Sequence, residues 1–108
     1  MSGLDATLSA LADPTRRRVI DLLREAPRPA GALAEAAAMS PPAMSRHLRV
    51  LRRAGLIGEV RDDDDARLRI YRLEPDRFDD LADWLEDVRA FWTDQLAAFK
   101  AHAESKAS

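Results

Sequence analysis

The segment from Ser40 to Gly55 constrains the fold most, because it carries a helix start signal and a helix stop signal around a strongly amphipathic pattern. Ser40 is a good N-cap residue, and Pro41 suits the first helical position, where the amide has no partner to lose. Gly55 is typical of the residue that ends a helix in left-handed geometry. The segment therefore predicts one short, sharply bounded helix.

The predicted helix has one apolar face and one basic face. Met44, Leu48 and Leu51 recur at helical spacing and should be buried. The opposite face carries Pro42, Ser45, Arg46, Arg49, Arg52 and Arg53. A short alanine-rich helix at about Ala30 to Ala38 and a tight turn precede this basic helix. Together they predict a helix-turn-helix, whose second helix enters the major groove of DNA.

The exposed positions of this helix divide by the DNA groups that they could reach. The residues predicted to approach base edges are Pro42, Ala43, Ser45 and Arg46. The residues predicted to meet phosphates are Arg49, Arg52 and Arg53, together with the free amides at Ser40. His47 falls beside the buried stripe, where it could contact DNA or pack as a hydrogen-bonded core residue.

The charge distribution supports a polyanion-binding surface in the middle of the chain. Thirteen arginines stand against eight acidic residues between Thr15 and Arg72, a surplus of five, although the whole chain has a net charge of −2. The alternative is that these arginines coat an ordinary solvated face.

Two strand-like runs follow the basic helix, at Leu56 to Arg61 and Arg67 to Leu73, and predict a hairpin. Its basic residues Arg61, Arg67 and Arg69 could add phosphate contacts. Its tip carries four aspartates, Asp62, Asp63, Asp64 and Asp65. The tip could be a solvated turn, could weaken nonspecific DNA binding by repulsion, or could bind a cation, although adjacent aspartates alternate in direction and make a poor cage.

The last helix should begin near Pro75 and reach about Glu104, which closes a single domain over residues 1–104 and leaves 105–108 as a disordered tail. Its apolar stripe is broader than one small domain needs, so we predict a homodimer through the first and last helices. Core packing within one monomer is the alternative. The predicted interface residues are Leu4, Leu8, Leu81, Trp84, Leu85, Val88, Phe91, Trp92, Leu96 and Phe99.

Several classes of protein are disfavoured by what the sequence lacks. The chain has no cysteine, which excludes disulfides and thiolate metal sites. It has two isolated histidines and no glycine-rich phosphate loop, so an enzyme is not expected. Because no long apolar run and no N-terminal signal pattern occurs, we expect a cytoplasmic protein with no membrane association.

Three segments resemble the ArsR family: ALADPTRRRVIDLL (Ala10 to Leu23), SPPAMSRHLRVLRRAGLI (Ser40 to Ile57) and the ribbon ending RIYRL. The resemblance covers about Leu4 to Phe99. It implies a mainly α-helical, winged helix-turn-helix fold with five helices and a small β-hairpin wing. It also implies a dimeric bacterial or archaeal repressor of a partly palindromic promoter operator, released when an unidentified effector binds.

The chain departs from the family in two places. The stretch AGALAEAAA lacks the cysteine pair of metal-sensing members, and no histidine precedes His102 in the last helix. The ending FWTDQLAAFKAHAE resembles a branch without the usual metal ligands, so no cofactor or metal is expected. The alternatives to a repressor are an activating or metal-responsive regulator that uses the acidic wing, or a dimeric protein-binding adaptor.

Overall fold

The computed structural model describes residues 3–65 and 67–107. In these residues the elements are α1 (Gly3–Leu11), α2 (Pro14–Glu25), β1 (Arg28–Pro29), α3 (Ala30–Ala36), α4 (Pro41–Arg53), β2 (Ile57–Arg61), β3 (Arg69–Leu73) and α5 (Pro75–Ala107). The predicted five-helix, winged class is confirmed. The chain divides into two compact units, one up to Phe78 and one from Asp79 that consists of the remainder of α5. The single domain over residues 1–104 stays a prediction.

The sheet has one more strand than the sequence predicted. β1 pairs antiparallel with β3, with Arg28 opposite Tyr71 and Pro29 opposite Ile70, and the strand order is β1-β3-β2. A two-residue strand beside prolines has no alternation from which it could be predicted. Proline is tolerated in β1 because this strand lies at the edge of the sheet.

The start of α2 is marked by a side-chain cap. Oδ1 of Asp13 accepts hydrogen bonds from the backbone amides of Thr15 at 2.8 Å and Arg16 at 3.1 Å. The bond from the Arg16 amide is the main cause that holds the pKa of the Asp13 carboxyl below its ordinary value. Pro14 occupies the first helical position. The cap thus fixes where α2 begins.

The turn between α3 and α4 starts earlier than predicted. α3 ends at Ala36 rather than Ala38, because the chain turns back there: the Ala38 amide donates to the Glu35 carbonyl at 3.1 Å and the Met39 amide donates to the Ala34 carbonyl at 3.0 Å. Ala38 takes a φ of 54°, a left-handed conformation that is unusual for a residue with a Cβ. The alanine run gave no signal for this stop, since alanine favours helix.

The core of the first unit surrounds the apolar face of α4. Met44, Leu48 and Leu51 are at most 2% exposed, which confirms the predicted stripe. They belong to one cluster with residues of α2, α3, β2, β3 and the turn before β2, namely Val19, Ile20, Leu22, Leu23, Leu33, Leu56, Ile57 and Tyr71. Burying this stripe turns the arginine-bearing face of α4 outward.

α5 continues to Ala107, beyond the predicted end at about Glu104, so residues 105–107 of the predicted disordered tail are helical. Residues 105–107 carry no apolar pattern from which a helix could be predicted. Lysine and alanine have high helix propensity, so the helix continues without such a pattern. Residue 108 lies outside the described residues. None of the described helices combines the length and apolarity that a membrane span requires.

Candidate nucleic-acid interface

The exposed face of α4 is the centre of the candidate interface. The Oγ of Ser40 accepts a hydrogen bond from the Ala43 amide at 3.3 Å, which confirms Ser40 as the N-cap. The exposed residues on this helix include Pro42, Ser45, Arg46, Arg49, Arg52 and Arg53, whereas Ala43 and His47 are half-buried. The predicted DNA-reading positions therefore lie on a surface that solvent reaches.

His47 has a partner that the sequence did not reveal. Its Nδ1 lies 3.3 Å from Nη1 of Arg16, so Nδ1 accepts when the ring proton is on Nε2. Arg16 also donates from Nε to the Ala10 carbonyl at 2.6 Å and from Nη2 to the Ser9 carbonyl at 3.3 Å. This geometry favours the packed alternative for His47, and a DNA contact by this residue stays a prediction.

A three-residue ion cluster joins α4 to the sheet. Oε1 of Glu59, on β2, lies 3.1 Å from Nη1 of Arg52 and 3.5 Å from Nη1 of Arg69, on β3. Glu59 stands opposite Tyr71 in the β2–β3 ladder. Burial raises the pKa of the Tyr71 hydroxyl, and the negative charge of Glu59 raises it further.

Glu59 was not among the predicted site residues. In the sequence, Glu59 is an ordinary acidic residue in a predicted strand. Nothing near it in the sequence indicates that two arginines would contact its side chain. The arginine from α4 and the arginine from β3 come from distant parts of the sequence. Their common partner is decided by how the helix packs on the sheet.

The cluster borders a small cleft between α4 and β3. The cleft has a volume of about 170 Å³ and is lined by Ser45, Arg49, Arg52, Arg69 and Tyr71. A neighbouring surface depression of about 350 Å³ is lined by Arg49, Arg52 and Arg53. The fold thus brings Arg69 of the wing beside Ser45, Arg49 and Arg52 of α4, all four of them predicted DNA contacts. Clustered guanidinium groups of this kind suit oxyanions such as phosphate.

The other two wing arginines lie near the hairpin tip. Arg61 stands opposite Arg69 at the end of the β2–β3 ladder. Arg67 is 93% exposed along its side chain, with its Nε 3.4 Å from Oδ1 of Asp65. Any phosphate contact by these residues stays a prediction.

The aspartates at the tip form local turn contacts. Oδ1 of Asp62 accepts from the Asp64 amide at 3.1 Å, and Oδ1 of Asp65 accepts from the Arg67 amide at 3.0 Å. Across residues 3–65 and 67–107, no group of three acidic or histidine side chains gathers as metal ligands would. The two local hydrogen bonds are those of a solvated turn, and they do not test the cation-binding interpretation.

In the second unit, α5 carries an apolar stripe that the single chain leaves open to solvent. The exposed residues are Trp84, Leu85, Phe91, Trp92, Leu96 and Phe99, the last of them 72% exposed. Leu81 and Val88 are half-buried. Phe91 and Trp92 meet edge to face, with ring centroids 5.8 Å apart. An apolar stripe of this size on one helix indicates an interaction surface. In the first unit, Leu8 of α1 is exposed and Leu4 is half-buried.

Comparison with known proteins gives consistent matches. Residues 11–60 match the model of a helix-turn-helix domain family. The HTH-type transcriptional regulator Rv2034 of Mycobacterium tuberculosis is 36% identical over 102 residues, which cover 94% of this chain and 90% of that protein. An ArsR-like transcriptional regulator from Rhodococcus sp. RHA1 superimposes with a TM-score of 0.80 at 32% identity, covering 95% of this chain and 92% of the other.

A third match concerns assembly. The homodimeric winged helix-turn-helix DNA-binding domain of Mb0332 from Mycobacterium bovis superimposes with a TM-score of 0.62 at 26% identity. The match covers 87% of this chain and 82% of that domain. A relative of the same fold is thus a homodimer.

Proposed function

The chain belongs to the ArsR family of winged helix-turn-helix transcriptional regulators, and from this premise we propose that it represses transcription as a homodimer bound to a palindromic operator. The observation that carries the proposal is the outward, arginine-rich face of α4, bounded by a capped N-terminus and flanked by an arginine of β3. A regulator of this kind acts in the cytoplasm, beside the chromosome.

The position of each residue along α4 determines whether it would contact bases or phosphates. Ser45 and Arg46 lie in the N-terminal half, where a recognition helix approaches base edges, and Arg46 can bond to guanine through two nitrogens. Arg49, Arg52 and Arg53 lie further along and meet phosphates, which position the protein without reading sequence. At the start of α4 the Ser40 hydroxyl can donate to a further phosphate, whereas Pro41 and Pro42 have no N–H and the Ala43 amide already donates to Oγ of Ser40.

Dimerisation supplies the second recognition helix. The exposed stripe of α5 would be covered by the same stripe of another copy, with Leu4 and Leu8 of α1 as further contacts. Two recognition helices about one DNA turn apart, ~34 Å, match the half-sites of a palindrome. Homodimerisation and a palindromic operator are therefore two parts of one proposal.

A binding experiment tests the DNA part. Anisotropy of a labelled duplex from upstream of the protein's own gene is compared with that of a random duplex of equal length across a salt series. We expect operator binding at least about a thousandfold tighter than random binding, with a steep salt dependence of both. Equal, weak binding to every duplex would overturn the proposal and favour the protein-binding adaptor.

Transcription in vitro from the bound promoter tests the direction of control. A repressor lowers the transcript level in proportion to operator occupancy. A rise in transcript would instead identify the activating alternative. Adding divalent cations to the same reaction tests the metal-responsive alternative, which predicts a change in occupancy that depends on the aspartates of the wing tip.

A further inference from the structure

Glu59 places a carboxylate within the candidate DNA-binding surface, where its negative charge would repel phosphates. Its side chain is 24% exposed and contacts two guanidinium groups that belong to different elements, Arg52 on α4 and Arg69 on β3. The cluster carries two positive charges and one negative charge, so one positive charge remains for an approaching phosphate. The carboxylate therefore lowers the attraction of this cleft for any polyanion.

The same carboxylate also restricts the two arginines. Each of the two has one nitrogen close to Oε1 of Glu59, and a guanidinium has five N–H donors, so several donors stay available to a second oxyanion. An arginine that is already held in place loses less conformational entropy when it binds a phosphate. Both of these ion pairs run through Oε1 of Glu59, whereas Oε2 is buried and has no hydrogen-bond partner among the described residues.

We propose that Glu59 is a positioning residue that fixes Arg52 and Arg69 as a preformed phosphate clamp between the recognition helix and the wing, and so favours operator over random DNA. The proposal rests on the DNA-binding function proposed above. A fixed clamp meets a phosphate only when the helix sits in the correct register. Without the carboxylate, the two arginines would be flexible and could bind phosphates on any duplex.

The test replaces the Glu59 carboxylate with an uncharged amide of the same size. Glu59→Gln should tighten binding to a random duplex and steepen its salt dependence by about 0.9 in the log–log slope, the contribution of one added phosphate contact. The ratio of operator to random affinity should fall by roughly tenfold, the scale of one charge-assisted hydrogen bond. Glu25→Gln is the matched control, because Glu25 also pairs with an arginine, Arg28 at 2.6 Å, but on α2 with 69% of its side chain exposed.

A second variant separates position from charge. Glu59→Asp keeps the carboxylate but shortens its reach, so the affinity ratio should fall while the salt slope stays unchanged. If Glu59→Gln does not fold, the Asp variant decides alone, and an unchanged ratio overturns the clamp. A ratio that Glu59→Gln leaves unchanged, or random binding that it weakens, overturns the clamp equally.

Tyr71 gives a readout that needs no DNA. It is the single tyrosine of the chain, so the absorbance of its tyrosinate reports this site directly. Glu59→Gln should lower the pKa of Tyr71 towards its ordinary value, with the effect of burial remaining. An unmoved pKa would overturn the clamp, because it would show that the Glu59 carboxylate is not held in this position. Failure of the wild-type protein to prefer any operator overturns the proposed function; wild-type preference retained in Glu59→Gln overturns the clamp alone.

Discussion

Nη1 of Arg16, in the first turn of α2, lies 3.3 Å from Nδ1 of His47 in the middle of α4. The same guanidinium donates to the carbonyls of Ala10 and Ser9, near the end of α1. Arg16 thus links three helices through its contacts with Ala10, Ser9 and His47. Arg16 itself makes no predicted contact with DNA.

Arg16→Ala should destabilise the protein by about 1.5–3 kcal/mol, because its charged donors satisfy two backbone carbonyls and the His47 ring. Its side chain is 17% exposed, so solvent would replace these bonds incompletely. Urea unfolding followed by circular dichroism measures the loss. Arg18→Ala, at an exposed position of the same helix, should change stability by no more than about 0.5 kcal/mol. Equal effects of the two changes would contradict the linking role of Arg16.

Arg46→Ala should weaken operator binding by about 1–3 kcal/mol and lower the preference among operators, because it removes a base contact. Arg53→Ala, at the other end of α4, should weaken operator and random duplexes about equally and reduce the salt slope by about 0.9. Anisotropy titrations on both duplexes measure the two effects. If both variants act alike, the division of α4 into base-reading and phosphate-binding parts is wrong.

Ser40→Ala should lower stability by about 1 kcal/mol, because the Ala43 amide loses its hydrogen-bond acceptor at the N-cap. Ser40→Asn should retain most of the stability, since asparagine caps as well as serine. Thermal unfolding of the two variants provides the comparison. A loss of equal size in both would indicate that the serine acts by something other than capping.

Trp92→Glu should convert the proposed dimer to a monomer, because it places a charge in the middle of the apolar stripe of α5. Ala90→Glu adds the same side chain at an exposed position near the opposite side of the helix and should leave assembly unchanged. Analytical ultracentrifugation over a concentration series distinguishes them. A wild-type protein that stays monomeric at every concentration would refute the dimer, and Trp92→Glu would then have no effect.

The raised pKa of Tyr71 leads us to expect a loss of folding stability at alkaline pH. Its folded-state pKa is raised above the ordinary value of 10.0, first by burial and then by Glu59. The folded state therefore keeps the phenolic proton longer than the unfolded chain does. The resulting stabilisation is complete below about pH 10 and is lost as the pH rises through the folded-state pKa. Urea unfolding across this range should show a steeper decline in wild type than in Tyr71→Phe.

The sequence by itself determined the elements whose causes are local. Ser40, Pro41 and Gly55 fix the ends of α4 through capping and backbone geometry, and the spacing of Met44, Leu48 and Leu51 fixes its buried face. Such signals act within a few residues and can be read from the chain directly. The outward arginines follow from them, because a helix that buries one face must expose the other.

Only the tertiary structure decided which distant residues meet. β1 is a strand because β3 offers it a partner, and the turn at Ala38 forms within an alanine run that favours helix. Arg16 finds His47, and Arg52 and Arg69 share Glu59, across segments that no local pattern connects. These pairings are settled by packing, since a charged group that is partly withdrawn from water must be satisfied by whatever partner the fold brings within reach.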